Sequence, residues 1–246
     1  MMKSNASKVL VFTATYNEKE NITPLLEGIW NSVPNADIYV IDDNSPDGTG
    51  DVLDAISKNN WKLKVHHRAG KLGVGSAHSE AITYARTQGY GKLITMDADF
   101  SHDPAVIKSL VEALDKYEFV IGSRFAEGGK LDYHGFRRFI SFGANFLSRY
   151  VLGITCRETT TSFRGFHASL LERLPIKDVK ADGYSFFLEC TYMICRTTKS
   201  VHEIPIHFQD RRYGQSKISQ SEIYKGLFTV LRLCVSRFFS KGTSRS

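Results

Sequence analysis

The chain has 246 residues, 42% of them hydrophobic and 24% charged, which are ordinary proportions for a folded protein and exclude a disordered or fibrous chain. Its formal net charge of +6 suits a phosphate-rich ligand or an anionic membrane surface. The four cysteines lack Cys-x-x-Cys spacing, so we expect neither a zinc site nor a disulfide framework. No window reaches the roughly 18 uninterrupted apolar residues of a membrane-spanning helix, and we expect no signal peptide.

Short apolar segments alternate with amphipathic segments through the first half of the chain. The predicted strands are residues 9–13, 37–41, 63–66, 93–96 and 119–121. The predicted helices are residues 20–30, 52–57, 76–87 and 105–116. This alternation predicts an α/β fold with a mostly parallel, doubly wound sheet flanked by helices. Ligands bind such sheets outside the carboxyl ends of the strands.

Polar runs follow four of the five predicted strands, at residues 15–18, 42–44, 97–99 and 122–124. Because the carboxyl ends of parallel strands share one edge of a sheet, we expect these runs to converge. A glycine-rich turn at residues 70–76 would let Lys71 approach a phosphate, or it is only a flexible surface turn. No G-x-G-x-x-G follows the first strand, and no Walker A order is present, so dinucleotide and P-loop binding are disfavoured.

The most informative run places Asp97 and Asp99 two residues apart, directly after the fourth strand. Carboxylates are hard oxygen ligands that suit Mg²⁺ or Mn²⁺, and such ions often hold substrate phosphates as well. The alternative is a loop whose acids cap the next helix, a role that Asp103 before Pro104 already suggests. Acids at this edge would repel a nucleic acid unless a metal were bound, and no recognition motif is present, so we expect no nucleic-acid partner.

Several motifs in order carry a resemblance to a known family. They are TYNEKENI (15–22), VIDDNSPDGTG (40–50), KLGVGSA (71–77), MDADFSHDP (96–104), IGSRF (121–125), EIPIHFQDR (203–211) and GQSKI (214–218). Together they resemble the polyprenyl-phosphate mannose synthases, which are family 2 glycosyltransferases with the GT-A fold. The resemblance runs from about residue 9 to about residue 235.

The resemblance implies one GT-A domain over residues 1–246, with a nucleotide-sugar-binding half near residues 8–125. Residues 126–246 would form the acceptor-binding half and end in an amphipathic helix. The implied reaction is transfer of mannose, with inversion, from GDP-mannose to a polyprenyl phosphate such as dolichyl or undecaprenyl phosphate. A divalent ion, Mg²⁺ or Mn²⁺, would be the cofactor.

Site residues follow from the resemblance, position by position. The nucleotide side would be lined by Thr15, Tyr16, Glu18, Asp42, Asp43 and Lys71, with Asp42 facing the base. The metal would be bound by Asp97 and Asp99. Donor and acceptor phosphates would be gripped by Arg124, Arg138, Arg211 and Lys217, the last two within a lid over residues 210–217.

The nature of the acceptor decides whether a general base is needed. A phosphate monoester has a second pKa near about 6, so it is largely a dianion at neutral pH and is already a nucleophile. A sugar hydroxyl would instead need a carboxylate base. Asp182 and Glu189 are the candidates, and their alternative roles are helix capping and a buried ion pair.

Departures from the family pattern keep the donor and the acceptor open. Ala14 stands where relatives usually have Pro, Ser162 where they usually have Gly, and Phe187 where they often have Gln. Phe187 either packs in the core or contacts the sugar or lipid. The alternatives are therefore a family 2 transferase that uses UDP-glucose or a glycan hydroxyl, and an inactive sugar-nucleotide-binding domain.

Two basic amphipathic segments, residues 136–152 and 223–239, bear on the membrane. Such helices can lie in the membrane interface, or their apolar faces can pack on the sheet. Because a lipid acceptor must be reached, we expect a cytoplasmic protein that binds peripherally at the cytosolic membrane face.

Overall fold

The computed structural model describes residues 5–131, 145–146, 149–208 and 220–242. The strands are β1 Asn5–Thr15, β2 Asp37–Asp42, β3 Leu63–His67, β4 Tyr90–Asp97, β5 Phe119–Ser123, β6 Lys130–Leu131, β7 Arg164–His167, β8 Val201–Pro205 and β9 His207–Phe208. The helices, numbered in chain order, are α1 Lys19–Ser32, α2 Thr49–Asn59, α3 Val74–Thr87, α4 Ile107–Ala113, α5 Ala168–Arg173, α6 Gly183–Thr197 and α7 Gln220–Gly242. All five predicted strands are confirmed.

Seven strands form one sheet in the order β3-β2-β1-β4-β7-β5-β8, and β6 pairs with β9 in a second sheet of two strands. Every neighbouring pair in the large sheet is parallel except the two that involve β7, which runs antiparallel to β4 and β5. The predicted mostly parallel sheet is therefore confirmed. The sequence did not predict that β7, from later in the chain, separates β4 from β5.

Helices cover both faces of the sheet. On one face lie α1, α2 and α4, which we call the α1–α4 layer. Its buried residues include Val11, Ile22, Leu25, Leu26, Ile29, Val40, Leu53, Met96, Ile107 and Leu110. On the other face lie α3, α5 and α6, which we call the α3–α6 layer. Its buried residues include Leu10, Phe12, Ala77, Ala81, Ile82, Phe166, Leu170, Leu171, Phe186, Phe187 and Ile194. Strand residues alternate between the two layers because successive side chains point to opposite faces.

The predicted helix over residues 105–116 is shorter than expected. A 3₁₀ turn occupies Pro104–Val106, and the α-helix proper is Ile107–Ala113. Asp103 Oδ1 accepts a hydrogen bond of 2.9 Å from the backbone N–H of Ala105, and Pro104 follows directly. The prediction that Asp103 caps this segment is confirmed, which leaves the other two acids of the motif for a different role.

Helix α7 packs against α6 through a third apolar cluster that joins Val230 and Leu233 to Leu188 and Tyr192. The Arg232 Nη2 atom lies 2.5 Å from the Glu189 carboxylate, which links the two helices by an ion pair. None of the helices within the described ranges is both long enough and apolar enough to span a bilayer.

Candidate active site

Strand register brings the predicted polar runs to one edge of the sheet. Thr15 at the end of β1 pairs with Asp42 at the end of β2, and Ala14 pairs with Asp97 at the end of β4. Ser123, the last residue of β5, lies at the same edge and is followed by Arg124. The predicted convergence of these runs follows from this register.

Two aspartates fix neighbouring loops at this edge. The buried Asp42 carboxylate accepts hydrogen bonds from the Thr15 hydroxyl at 2.8 Å and from the Ser45 hydroxyl and backbone N–H at 2.5 and 3.0 Å. Asp43, also buried, accepts from Arg68 Nη1 at 3.1 Å and from the backbone N–H of Gly73 at 3.0 Å. These contacts join the loops that follow β1, β2 and β3.

Tyr16 and Lys71 come together at the exposed rim of these loops. Tyr16 is 37% exposed, and the Lys71 ammonium lies 3.8 Å from the centre of its ring. A cation–π contact of this kind orders two long side chains that would otherwise be mobile. Glu18 is the N-cap residue of α1, where its carboxylate accepts a hydrogen bond of 2.7 Å from Asn21.

The acidic pair presents two carboxylates of different exposure. The Asp97 side chain, at the end of β4, is 36% exposed, whereas Asp99 is only 4% exposed. Asp99 Oδ1 accepts a hydrogen bond of 3.0 Å from the backbone N–H of Ser101. One carboxylate of the pair is therefore partly exposed, while the other is buried and held by its own loop.

His102 is buried next to the acidic pair and contacts the backbone of Asp97. Its Nδ1 accepts a hydrogen bond of 3.3 Å from the backbone N–H of Asp97, and its Nε2 lies 3.1 Å from the Thr161 hydroxyl. Burial lowers the pKa of His102 in spite of the nearby Asp97 and Asp99 charges. The ring is therefore neutral at pH 7 and adds no positive charge beside the carboxylates.

The donor set at this edge fits a hard divalent cation. Across the described ranges, no cluster of three or more His, Cys, Asp or Glu side chains is positioned to hold a metal ion by itself. Mg²⁺ is usually bound by one or two carboxylates together with substrate phosphates, so a protein cage is not required. Asp97 and Asp99 are the residues at this edge whose carboxylate oxygens could hold such a cation.

Arg124 is held by a carboxylate that sequence reasoning missed. Its Nε and Nη2 atoms lie 2.7 and 2.8 Å from the two oxygens of Glu158, and Nη2 donates to the Thr160 hydroxyl at 2.8 Å. Glu158 is fully buried, which by itself would raise its pKa, but Arg124 and backbone N–H groups hold that pKa below its usual range. The pair is therefore charged and fixed. Glu158 lies 34 residues from Arg124 in the chain, so no local pattern could reveal the contact.

The candidate bases for a hydroxyl acceptor are placed unequally. Glu189 is buried, and its Oε2 accepts from the backbone N–H groups of Lys180 and Ala181 at 3.1 and 2.8 Å as well as from Arg232. Its alternative role as a buried ion-pair partner is therefore confirmed. Asp182 is exposed at the N-cap of α6 and forms no side-chain capping hydrogen bond.

Other sequence expectations divide between the core and the parts of the chain that are not described. Phe187 is 2% exposed in the α3–α6 layer, with its ring edge-on to His78, which confirms the packing interpretation. Arg138, Arg211 and Lys217, with the proposed lid over residues 210–217, lie outside the described residues. Their roles stay predictions.

The three-layer α/β sheet is the GT-A fold of glycosyltransferases. The crystal structure of glucosyl-3-phosphoglycerate synthase from Mycobacterium tuberculosis, in complex with Mn²⁺, UDP-glucose and glycerol 3-phosphate, shares this fold. Its TM-score is 0.65 at 19% identity, over 92% of this chain and 80% of that chain.

Sequence comparisons give the family. Residues 10–175 match the profile of Glycosyl transferase family 2. An undecaprenyl-phosphate mannosyltransferase of Micrococcus luteus is 34% identical over 92% of this chain and 93% of its own. A polyprenol monophosphomannose synthase of Mycolicibacterium smegmatis is 35% identical over 91% of this chain and 85% of its own. The chain belongs to glycosyl transferase family 2, and it is a hexosyltransferase.

Proposed function

We propose that this enzyme transfers mannose from GDP-mannose to a polyprenyl phosphate, with inversion at the sugar carbon. The observation that carries the proposal is the similarity to two mannosyltransferases named for polyprenyl substrates, over more than nine-tenths of this chain. The geometry of the carboxyl edge supports the same chemistry, because it combines a carboxylate pair with a fixed guanidinium group.

Asp97 and Asp99 would hold the divalent ion, Mg²⁺ or Mn²⁺. When bound, such an ion supplies positive charge to the diphosphate that leaves as the sugar is transferred. The Mn²⁺ in the complex of the structurally similar synthase supports this choice of cofactor. The protein's own contribution is to fix the Asp99 carboxylate through Ser101 and the backbone of Asp97 through His102.

Arg124 would contact a phosphate oxygen from its fixed position beside β5. A guanidinium group that is already oriented loses little entropy when it binds a phosphate oxygen. Glu158 and Thr160 provide that orientation. Arg138, Arg211 and Lys217 would add further phosphate contacts, and the nucleotide would lie beside Tyr16 and Lys71.

The acceptor is best explained as a phosphate and not a hydroxyl. A phosphate dianion needs no general base, whereas a hydroxyl requires a carboxylate within reach. Glu189, one of the two candidates, is committed to Arg232 and to two backbone N–H groups. Of these two candidates, only Asp182 would then be left as the general base for a hydroxyl acceptor.

Helix α7 supports a location at the membrane surface. Its residues Val230 and Leu233 face α6, but a second apolar stripe on the helix is exposed. The exposed stripe consists of Tyr224, Leu227, Phe228, Leu231 and Val235, which are between 47% and 69% exposed. An apolar stripe with basic neighbours is typical of helices that lie in the interface of an anionic membrane.

A second apolar patch lies beside α7 and extends this surface. Phe146 and Tyr150 are 54% and 72% exposed, and the centroids of their rings lie 4.4 Å apart. Arg237 Nη1 donates to the carbonyl of Val151 at 2.9 Å, which places this segment against the helix. We infer that both segments contact the cytosolic face of the membrane that carries the acceptor.

The experiment that tests the proposal supplies radiolabelled GDP-mannose or UDP-glucose with a short-chain polyprenyl phosphate and Mg²⁺. Label that enters the organic phase is counted. We expect label from GDP-mannose, its loss with EDTA, and its return when Mg²⁺ is added in excess. Label from UDP-glucose alone would overturn the donor assignment, and lipid label that EDTA leaves unchanged would overturn the metal assignment. Bound nucleotide with no lipid label from either donor would favour the inactive binding domain.

A further inference from the structure

Phe100, the residue after Asp99, has a backbone conformation that phenylalanine rarely adopts. Its φ angle is +60°, in the left-handed region, where the Cβ atom of an L-residue crowds the backbone. Glycine and asparagine enter this region readily, whereas a bulky aromatic residue there is an outlier. Such a residue persists only where its surroundings hold it, and such residues cluster at functional sites.

The surroundings that hold Phe100 are apolar. Its ring is partly buried and packs against the α1–α4 layer, which also contains Met96 and Ala98 from the same loop and strand. The ring is therefore held by apolar contacts while the backbone at position 100 stays in the left-handed region.

The consequence of this conformation lies one residue on each side. At Phe100 the chain turns back, and the N–H of Ser101 reaches the carboxylate of Asp99 at 3.0 Å. Asp99 is thereby turned inward to 4% exposure, while Asp97 keeps 36% of its side chain exposed. An extended chain would instead carry both carboxylates along the same face of the strand, two residues apart and without this contact.

We propose that Phe100 is a positioning residue for the acidic pair. Its ring anchors the left-handed turn that fixes the Asp99 carboxylate relative to Asp97, so that the two oxygen ligands are preorganised for one divalent cation. The inference rests on the proposed role of this pair in binding the metal. It adds that the aromatic ring directly after the second acid, which cannot itself ligate a metal, sets how tightly the metal is held.

The experiment measures Mn²⁺ binding directly, by the loss of the free-ion electron paramagnetic resonance signal in the presence of GDP. Two variants, Phe100→Gly and Phe100→Asn, remove the ring but accept the left-handed backbone, so neither adds strain that would unfold the protein. The matched control is Tyr117→Gly. Tyr117 is another partly buried aromatic residue on the α1–α4 layer, and it lies before β5, away from the carboxyl edge.

We expect both Phe100 variants to bind Mn²⁺ about 10-fold to 100-fold more weakly than the wild type, the usual effect of losing a contact that orients a metal ligand. Their melting temperatures should stay at or above that of Tyr117→Gly, which should bind Mn²⁺ normally.

Phe100 variants that bind within about two-fold of the wild type would overturn the inference and leave the proposed function standing. An equal loss in Tyr117→Gly would overturn it too, because general loosening would then explain the effect. A wild-type protein that binds no Mn²⁺ would overturn the proposed metal role and this inference with it.

Discussion

Residues at the carboxyl edge differ in what their carboxylates do, although three acids follow one another within seven positions of the same motif. Asp103 caps a turn, Asp99 is buried against Ser101, and Asp97 is partly exposed at the end of β4. The sequence alone left capping and metal binding as alternatives for these acids. The structure assigns capping to Asp103. Substitutions at Asp99 and at Asp103 can therefore be compared to test metal binding.

Replacing Asp99 tests the metal assignment against a neighbouring acid. We expect Asp99→Ala to lower sugar transfer to below about one hundredth of the wild-type rate, because the leaving diphosphate loses its stabilising charge. The control, Asp103→Ala, should cost about 1 kcal/mol of stability through the lost cap and leave transfer nearly unchanged. Initial rates and thermal melts of both variants decide the matter. Near-normal turnover in a folded Asp99→Ala protein would contradict the assignment.

The Arg124–Glu158 pair gives a prediction about stability. Arg124 and Glu158 side chains are 8% and 0% exposed, so Glu158→Gln leaves a buried guanidinium without its anion. Breaking a buried pair in this way typically costs about 3–5 kcal/mol, and we expect a loss near the lower value in denaturant unfolding. The control pair Lys108–Glu112, at 4.0 Å, is exposed on α4, and Glu112→Gln should unfold like the wild type. Equal stabilities of the two variants would show that the buried pair is not held as described.

Between elements, Glu118 joins β5 to two later parts of the chain. Its carboxylate accepts hydrogen bonds from Ser169 at 2.6 Å, from Thr198 at 2.5 Å and from Arg173 at 2.6 Å. The Ser169 and Thr198 hydroxyls, with Arg173, lower the pKa of Glu118 to about 2. The charged form is therefore favoured by folding.

A pH dependence of stability follows from this shift. Because the folded pKa lies below the ordinary value of 4.5, the stabilisation is complete above that value and is lost as the pH falls towards about 2. We expect Glu118→Gln to be less stable than the wild type by about 2 kcal/mol at pH 7, with the difference shrinking below about pH 4. Denaturant unfolding of both proteins from pH 7 to pH 3 measures it. A difference that stays constant across this range would contradict the account.

The exposed stripe of α7 can be tested without disturbing the α6 contact. We expect Phe228→Glu together with Leu231→Glu to abolish flotation with anionic liposomes, because two charges would replace apolar side chains at the interface. Melting should be little changed, since both residues are more than 60% exposed. Trp61→Glu is the control, because Trp61 is 71% exposed before β3 and should float like the wild type. Flotation of the double variant, or wild-type protein that stays wholly in solution, would contradict the membrane proposal.

How far the sequence predicts the elements depends on their pattern. The strands of the first half are runs such as VLVFT and DIYVI, which are mostly apolar and are therefore readily identified. Strand β7 reads RGFH and carries the fully buried Arg164, whose Nε donates to the carbonyl of Thr161 at 2.7 Å. A buried arginine satisfied by backbone carbonyls looks like a surface residue in the sequence, so the strand was missed.

The same limit applies to the site. Residues at strand ends were predictable because the parallel sheet brings all carboxyl ends to one edge. Glu158 could not be predicted in the same way, since it lies in an irregular segment and meets Arg124 only through the fold. The left-handed backbone of Phe100 could not be predicted either, because glycine or asparagine ordinarily adopts that conformation and phenylalanine rarely does.

Across the whole molecule, the two halves implied by the resemblance share one sheet. Strand β7 from residues 164–167 lies between β4 and β5, and β8 from residues 201–205 extends the far side. Strands β1, β2 and β4 carry the residues predicted to bind the donor, and the segment that holds Arg124 comes from the later half. The functional division of the chain into a donor half and an acceptor half stays a prediction.

The choice of a phosphate acceptor is tested by comparing two lipids of equal chain length, a polyprenyl phosphate and the corresponding free polyprenol. Each is given to the wild-type enzyme with radiolabelled GDP-mannose and Mg²⁺, and lipid-linked label is separated by chromatography. We expect mannolipid from the phosphate alone, because a dianionic acceptor needs no general base. Transfer to the polyprenol at a comparable rate would contradict it, as would a phosphate acceptor that receives no sugar.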